Sequence, residues 1–483
     1  MSKVKQQLAL VVFFVLTRVL FINYFGVQFE YEWVAKMWHF IDVEMLKNDL
    51  LNSLYYFHYQ PPLFNLFLGF VLKQSVLNPE VLLRIIFWII SLVIALLIHH
   101  ISFRKTNNSF FSILMSMLFL VLPETVLYEN WPIYTWTSAL VLLMGYFVLD
   151  RFVEYKKQKD LFFFFLLMSI LVLTRSAFHP VYYFFFMITL YFISKINFTS
   201  YLKIITIPTC LILCVAVKNK IEFGFFGVGS GLGFSMYKIS PKKDLDKKLD
   251  SDNEETLKIM RVVPVKSVST YLSKNEISYE VKPDTNLLKN EFKSTRSKYT
   301  DEFSVNLGNI HYLDLAKRYQ KAAFYLIKNY PKEYLSNVLK ATIMFFKPTW
   351  DHGFGIEYNK VKLKTLIDFV TLESIRHSIE NYIYKFPKPW PLREGVAFSS
   401  YLIIPFFYFL FFLFHIKDLI RKKEFVVDPS VFFSLCTVIY LILVSNLVEL
   451  AENNRYRAMV DPLVFTMIGT KIICYFRERL NRS

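Results

Sequence analysis

The stretch HYQPPLFNLFLGFVL, residues 58–72, determines how many times this chain can cross a membrane. Its apolar part, Leu63–Leu72, follows Pro61 and Pro62 and has ten residues. A helix rises about 1.5 Å per residue, so these residues cover about 15 Å, or about half the thickness of the hydrocarbon layer. We therefore predict a short helix at the membrane interface rather than a spanning helix.

The composition of the whole chain is that of a membrane protein. The 483 residues are 54% apolar and 18% aromatic, only 20% are charged, and the formal net charge is +17. A soluble domain has about 25% charged residues. This composition excludes a disordered chain, a disulfide scaffold and an ordinary soluble enzyme. The apolar residues fall in eleven blocks, which cover residues 7–25, 61–77, 81–102, 110–127, 133–150, 161–178, 180–194, 201–217, 396–416, 429–448 and 458–476.

The distribution of Lys and Arg favours ten crossings rather than eleven. If every block crossed, the basic clusters between the blocks would lie outside, against the positive-inside rule. If the second block stays at the interface, 17 Lys and Arg lie on short inside segments and three lie on short outside turns. We predict an all-α polytopic membrane protein with about ten transmembrane helices and both termini inside. The basic excess then reflects topology, and we expect no nucleic-acid partner.

Ten crossings divide the chain into three parts. Residues 1–218 form a transmembrane module whose first outside loop covers residues 26–80. Residues 219–395 form an outside insert, and residues 396–483 supply the last transmembrane helices.

The insert is predicted to be small and of mixed α/β structure. It opens with five Gly residues, a pattern that favours a hinge after a helix over an anion-binding nest. Val262–Val281 is β-like. Two amphipathic helices are predicted over residues 311–329 and 332–346, with Pro331 at the start of the second.

Polar and charged residues that are not needed for a helix to span the bilayer are concentrated in the outside turns. We expect these turns to meet at one face of the helix bundle. A carboxylate can take a proton from a hydroxyl nucleophile, and Arg binds phosphate bidentately and stabilises its growing charge. The candidate catalytic residues are Glu30 and Glu32. The candidate substrate- or phosphate-binding residues are His58, Gln60, Glu129, Asn130, Arg175, His179, Arg455 and Arg457.

The same residues also fit structural roles. Glu30 and Glu32 fit a solvated helix start, and Arg175 fits snorkelling to the headgroups. Arg455 and Arg457 fit an ion network with Glu449 and Glu452, and His58 fits a turn. Arg18 lies inside the first helix, where an intramembrane charge is costly, so we expect it to pair with a carboxylate or to snorkel.

The motifs in these turns resemble the GT-C superfamily of membrane glycosyltransferases. EYEWVA at 30–35, followed by HYQPPL at 58–63, is similar to the first outside loop of protein O-mannosyltransferases and lipid A aminoarabinose transferases. YENWP at 128–132, LTRSAFHP at 173–180 and ENNRYR at 452–457 resemble turns of bacterial members. The resemblance covers most of the membrane portion and is weak in the insert.

The resemblance implies a GT-C-like bundle with juxtamembrane helices in the first outside loop. It implies transfer of a hexosyl or pentosyl unit from a polyprenyl-phosphate-linked donor to a hydroxyl acceptor on the non-cytosolic face, with inversion. Glu30 or Glu32 would be the base, and Arg455 or Arg457 would contact the phosphate. Many relatives have Asp nearer the first helix, where this chain has Val27-Gln28. The branch resembled is usually metal-independent, so we expect no cofactor and no metal ligands.

The partners implied are the lipid-linked donor, the lipid bilayer and a glycan, lipid or protein acceptor. A lipid-linked sugar flippase would show repeated halves and broken helices, and the sequence shows neither. A catalytically inactive lipid-binding scaffold fits the change from Asp to Glu. The insert has no Asn-X-Ser/Thr acceptor, which favours a bacterial inner membrane with a periplasm-facing site over an endoplasmic reticulum membrane with a lumenal site.

Overall fold

The computed structural model describes residues 3–243, 254–261, 285–296, 303–349, 356–370, 403–421 and 428–480. These residues are almost entirely helical, and the strands among them form one two-stranded antiparallel sheet. The chain is therefore of the all-α class, and its long apolar helices indicate a multi-pass membrane protein. Five of the described helices are long and apolar enough to cross a membrane, namely Val4–Asn23, Pro79–Thr106, Tyr134–Tyr155, Phe198–Phe223 and Pro429–Val448.

The part of the chain before the insert contains long helices and the short helices of the first outside loop. Each apolar block predicted in this part coincides with one helix, except the block over residues 110–127, which forms two helices, Ser109–Val121 and Pro123–Tyr128. In chain order the helices are α1 (Lys3–Asn23), α2 (Trp33–Lys36), α3 (Val43–Asn48), α4 (Leu50–Tyr55), α5 (Leu63–Lys73), α6 (Pro79–Thr106), α7 (Ser109–Val121), α8 (Pro123–Tyr128), α9 (Tyr134–Tyr155), α10 (Gln158–Thr174), α11 (Pro180–Ser194) and α12 (Phe198–Phe223).

The insert and the C-terminal part continue the helical fold around one small hairpin. The elements are α13 (Leu232–Ile239), α14 (Glu254–Arg261), α15 (Asn286–Lys289), β1 (Phe292–Arg296), β2 (Phe303–Val305), α16 (His311–Asn329), α17 (Pro331–Phe345), α18 (Glu357–Lys362), α19 (Lys364–Val370), α20 (Ile403–Arg421), α21 (Pro429–Val448), α22 (Asn453–Ala458) and α23 (Asp461–Leu480).

Local capping chemistry sets the ends of the long helices. The Asn78 side chain accepts a hydrogen bond from the Glu80 N–H at the start of α6, and Asn108 does the same for Phe111 in α7. Asn107 ends α6 in the left-handed region with φ of 49°. Because only Asn107 and Asn108 separate α6 from α7, the two helices form a tight hairpin and pack against each other.

The short helix predicted at Pro61 and Pro62 is confirmed. α5 has 11 residues, about 16 Å of helix, so it is too short to span. Its inner face is buried against the first loop, where the side-chain oxygen of Asn65 accepts a hydrogen bond from the Ile41 N–H at 2.8 Å. Phe70 on its outer face is 63% exposed. This pattern suits a helix that lies along the membrane interface.

The described part of the insert packs onto the first outside loop. In the hairpin of β1 and β2, the Lys293 ammonium donates to the Met37 carbonyl at 2.6 Å, and the Ser294 hydroxyl donates to Asp42 at 2.7 Å. The two helices predicted in the insert are confirmed as α16 and α17. The β-like prediction for Val262–Val281 lies outside the described residues.

The Gly cluster at the start of the insert permits close packing. Gly224 ends α12 with φ of +72°, which favours glycine. Gly231 lies against the ring of Tyr59, and a Cβ on Gly233 would lie 1.8 Å from the Ala316 carbonyl oxygen. These glycines bring α13 close to both the first loop and α16, and so place α13 beside the cavity described next.

Candidate functional site

A cavity of about 510 Å³ lies where the turns that were predicted to lie outside meet. Its walls come from the first loop, the turn between α10 and α11, α13 of the insert, and the turn between α21 and α22. Aromatic rings line much of it, and this combination of apolar walls with a few polar groups is typical of a small-molecule site. The residues that carry the argument are Trp38, His39, Gln60, Tyr134, Arg175, His179, Lys238, Glu449, Glu452, Arg455 and Tyr456.

Arg175 is a buried cation without a matching anion in the described part of the chain. It follows α10 directly and is only 2% exposed. One guanidinium nitrogen contacts the Met459 sulfur at 3.0 Å and Thr135 at 3.4 Å, and the other terminal nitrogen, also buried, has no hydrogen-bond partner. The guanidinium carbon lies 4.4 Å from the centre of the Tyr456 ring. Burial and the charge of Arg455 lower the pKa of Arg175.

Arg455 shares the cavity with Arg175 and also keeps free donors. It is 3% exposed, and its Nη2 pairs with Glu452 at 2.6 Å. Its Nε and Nη1 are buried without a hydrogen-bond partner. Burial alone would lower the pKa of Arg455, but the charge of Glu452 raises it above its ordinary value. Three guanidinium nitrogens of the two arginines thus have N–H groups that no described residue accepts.

The remaining charges leave the cavity with a net positive charge. The Lys238 ammonium of α13 lies 3.0 Å from a Glu449 oxygen. Burial alone would lower the pKa of Lys238, but the charges of Glu449 and Glu452 raise it above its ordinary value, so Lys238 stays protonated. Burial and Arg455 hold the pKa of His39 well below its ordinary value, so His39 is neutral. Three cations and two carboxylates give +1, which favours an anionic ligand.

Four of the predicted binding residues lie together in this cavity: Gln60, Arg175, His179 and Arg455. His179 caps α11, because its ring nitrogen Nδ1 accepts a hydrogen bond from the Val181 N–H at 3.3 Å. A buried Gln60 side-chain oxygen has no hydrogen-bond partner. The expected convergence of outside turns is therefore found for these residues.

Arg457 does not line this cavity, so the structure separates it from Arg455, the other arginine predicted as a phosphate ligand. They are two positions apart in α22, which turns their side chains about 200° from each other. Arg457 instead pairs with Asp461 at 3.0 Å and donates to the Phe345 carbonyl. It borders a second, mostly apolar cavity of about 450 Å³, which Asp461 also lines.

His58, Glu129 and Asn130 also lie outside the lining and make structural contacts. The His58 ring nitrogens lie 3.0 Å from the Ser230 hydroxyl and 3.1 Å from the Gly308 carbonyl, and burial and Lys218 lower its pKa to about 4. Glu129 pairs with Arg18 at 2.5 Å. Asn130 donates to the Val126 carbonyl. The ion pair expected between Arg18 and a carboxylate is thus confirmed, and the carboxylate is that of Glu129.

Glu30 and Glu32, the predicted catalytic residues, are described but are not among the residues that line the cavity. The Trp131 ring centre lies 6.0 Å from the Arg455 guanidinium and 6.5 Å from the ring centre of Trp33, the residue next to Glu32. Glu32 pairs with Lys36 at 2.8 Å. Glu30 is partly buried, and this burial together with the charges of Glu32 and Glu357 raises its pKa to about 7.

Sequence reasoning missed several residues that line the site. Tyr134 lies near the start of the apolar block 133–150 and begins α9, so nothing in the pattern distinguished it from a packing residue. Lys238 lies in the insert, where no motif was recognised. Glu449 and Glu452 were interpreted as ion-pair partners of the arginines, although both line the cavity. The cluster of charged residues in the last turn is the sequence signal that could have identified Glu449 and Glu452 as part of the site.

Among the residues that the structure describes, no group of three His, Cys, Asp or Glu side chains has the arrangement of a metal site. Comparison of the chain with family models, with curated proteins and with solved structures found no match.

Proposed function

We propose that this chain is a membrane glycosyltransferase of GT-C type. It transfers a hexosyl or pentosyl unit from a polyprenyl-phosphate-linked donor to a hydroxyl acceptor on the non-cytosolic face. The proposal includes ten spanning helices in a GT-C-like bundle, with α5 at the interface and the cavity facing the periplasm of a bacterial inner membrane. The sequence resemblance in the outside turns and the chemistry of the cavity support it.

The observation that carries the proposal is the pair of buried guanidiniums, Arg175 and Arg455, with unpartnered N–H groups in one cavity. A buried N–H group without an acceptor is costly, and a buried unpaired cation costs more. A phosphate provides both acceptor oxygens and negative charge, and Arg binds it with fixed geometry. A lipid-linked phosphodiester carries one negative charge, which balances the +1 of the cavity.

The cavity also suits a donor with a sugar and a lipid tail. The rings of Trp38, Tyr59 and Phe234 line it and offer flat apolar surfaces to a sugar. Val444 and Val448, near the end of α21, line the side where a polyprenyl chain would pass into the bilayer. The acceptor class stays open between glycan, lipid and protein.

The proposed reaction is a direct displacement at the anomeric carbon. The acceptor hydroxyl oxygen forms a bond to that carbon, and the bond from the carbon to the phosphate oxygen breaks. The bonding electrons leave with the polyprenyl phosphate, whose growing charge Arg175 and Arg455 stabilise. A carboxylate takes the hydroxyl proton. Phosphate leaves as an anion, so the step needs no general acid.

Inversion requires the base to lie across the anomeric carbon from the phosphate. Glu452 shares Arg455 with the proposed phosphate and so lies on the leaving-group side. Glu449 lines the same cavity and pairs with Lys238 rather than with an arginine, and we assign it as the base. Glu30 and Glu32, the assignment that the resemblance implies, remain the alternative.

The experiment measures transfer or hydrolysis of a radiolabelled polyprenyl-phosphate sugar by the purified protein in lipid nanodiscs. Loss of a catalytic base lowers the rate by about 10²–10⁴-fold. We expect that loss in Glu449→Gln and not in Glu44→Gln, which changes a carboxylate whose side chain is 57% exposed. The Glu30→Gln and Glu32→Gln variants test the alternative base.

Three outcomes would count against the proposal. Transfer that persists in all the Gln variants and in Arg175→Gln would refute the site. Movement of the lipid-linked sugar across the bilayer without transfer would identify a flippase. Binding of the lipid without either activity would identify an inactive scaffold.

A further inference from the structure

Tyr134 lies beside the two arginines and ends a hydrogen-bonded chain that fixes the direction of its hydroxyl proton. Tyr134 begins α9 and is 4% exposed, and its hydroxyl oxygen lies 2.8 Å from Nδ1 of His39. On the other side of the imidazole, the Trp38 indole nitrogen lies 2.9 Å from Nε2 of His39. All three side chains line the cavity.

The indole sets the tautomer of His39. An indole N–H can only donate, so Nε2 of His39 must accept the hydrogen bond from Trp38. A neutral imidazole then carries its single proton on Nδ1. That proton is donated to the Tyr134 oxygen, and the tyrosine must use its own proton elsewhere.

The Tyr134 hydroxyl therefore has a proton to donate in a region that is rich in donors. The guanidinium carbons of Arg175 and Arg455 lie 5.0 Å and 5.8 Å from the centre of the Tyr134 ring. Among the described residues, His39 is the one hydrogen-bond partner of this hydroxyl, and it acts as donor. The two guanidiniums and the phenol thus each have at least one hydrogen that no described residue accepts, and such a group of donors suits an oxyanion.

We propose that Tyr134 is a third ligand of the donor phosphate, donating its hydroxyl hydrogen to a non-bridging phosphate oxygen, and that His39 and Trp38 are positioning residues that aim this hydrogen. The inference rests on the proposed function, since it adds a ligand to the phosphate placed between Arg175 and Arg455. His39 does not touch the substrate in this arrangement and acts only through Tyr134.

The first test measures binding of a radiolabelled short prenyl monophosphate to the purified protein in nanodiscs. A hydrogen bond to a charged group is worth about 1.5–3 kcal/mol, so removal of one weakens binding by about 10- to 100-fold. We expect this loss in Tyr134→Phe, which keeps the ring beside the two arginines. Tyr24→Phe is the matched control, since Tyr24 is 79% exposed.

The second test separates positioning from packing with a double-mutant cycle. His39→Leu should weaken binding severalfold in the wild-type background and have no further effect in the Tyr134→Phe background. Additive losses would overturn the positioning role, because independent sites give independent effects. His39→Asn keeps an N–H close to the position of Nδ1 and should restore most of the affinity, which a loss of ring packing would not allow.

The outcomes distinguish this inference from the function it rests on. If the wild-type protein does not bind the prenyl phosphate, the proposed function fails. If the wild type binds it, Arg175→Gln loses binding and Tyr134→Phe does not, only the role of Tyr134 is overturned. If Tyr134→Phe does not fold, the comparison of His39→Leu with His39→Asn decides the question in folded protein.

Discussion

Replacing Arg175 with Met should make the ligand-free protein more stable and weaken its binding of a prenyl phosphate. Arg175 is 2% exposed, and no carboxylate of the described residues forms an ion pair with it. Its two ring contacts, with Tyr134 and Tyr456, contribute about 0.5–2 kcal/mol each. Burial of an unpaired cation costs several kcal/mol, which exceeds this gain.

The balance gives opposite signs for stability and for binding. Met fills a similar volume without a charge, so we expect the free energy of unfolding to rise by about 1–3 kcal/mol. Loss of two charge-assisted hydrogen bonds should weaken prenyl phosphate binding by about 100-fold or more. Thermal unfolding of the ligand-free protein in detergent measures the first quantity, and equilibrium binding in nanodiscs measures the second.

Arg18→Met is the matched control for this reasoning. Arg18 is 3% exposed, so it is buried to the same degree, but it pairs with Glu129 at 2.5 Å. Its removal leaves the Glu129 carboxylate buried without a partner, so the variant should lose about 3–5 kcal/mol of stability. If Arg175→Met loses as much stability as Arg18→Met, the inference that Arg175 binds a ligand anion is refuted. Arg175 would then be a residue that stabilises the fold by packing.

Three further predictions concern the first loop and the insert, and thermal unfolding of each variant measures them. The pKa of Glu30 is raised from 4.5 to about 7, so the folded protein binds a proton that the unfolded chain releases; stability should fall as the pH rises from about 4.5 through 7, and Glu30→Gln should remove this fall. Burial lowers the pKa of Lys293 from 10.5 to about 7, so stability should instead rise between about pH 7 and 10.5, and Lys293→Met should abolish the rise. Gly233→Ala places a Cβ 1.8 Å from a carbonyl oxygen and should cost about 1–3 kcal/mol, whereas Gly227→Ala, whose Cβ has only a side chain at 3.8 Å, should change little.

The features that the sequence predicted correctly depend on neighbouring residues. The prolines before Leu63 start α5, and Pro331 starts α17, because Pro suits the first turn of a helix. The apolar blocks became helices for the same kind of local reason. The number of membrane crossings depends less on neighbouring residues, because it depends on how each helix lies in a bilayer. Among the described residues, five helices are long and apolar enough to cross a membrane.

The composition of the site depended on contacts between distant residues. Residues 449–457 were predicted as a turn, but the structure forms the helix α22 over Asn453–Ala458. Because Arg455 and Arg457 are two positions apart in this helix, their side chains line different cavities. Tyr134 depends on His39, which is 95 positions away in the chain. Single-sequence patterns hold no information about such pairs, so the sequence could not show which of the predicted arginines share a cavity.

The contrast between Arg18 and Arg175 is the strongest reason to look for a ligand. Arg18 and Glu129 are 111 positions apart in the sequence, and the fold brings them together as a buried ion pair. A buried guanidinium in this protein can therefore have a carboxylate partner. Beside Arg175 it places Thr135 and Met459, which are neutral and leave one terminal nitrogen without an acceptor. Glu452, the nearby carboxylate, is already committed to Arg455. Since a buried cation needs a compensating charge, and the described residues around Arg175 do not provide it, the compensating charge is best supplied by a bound anion.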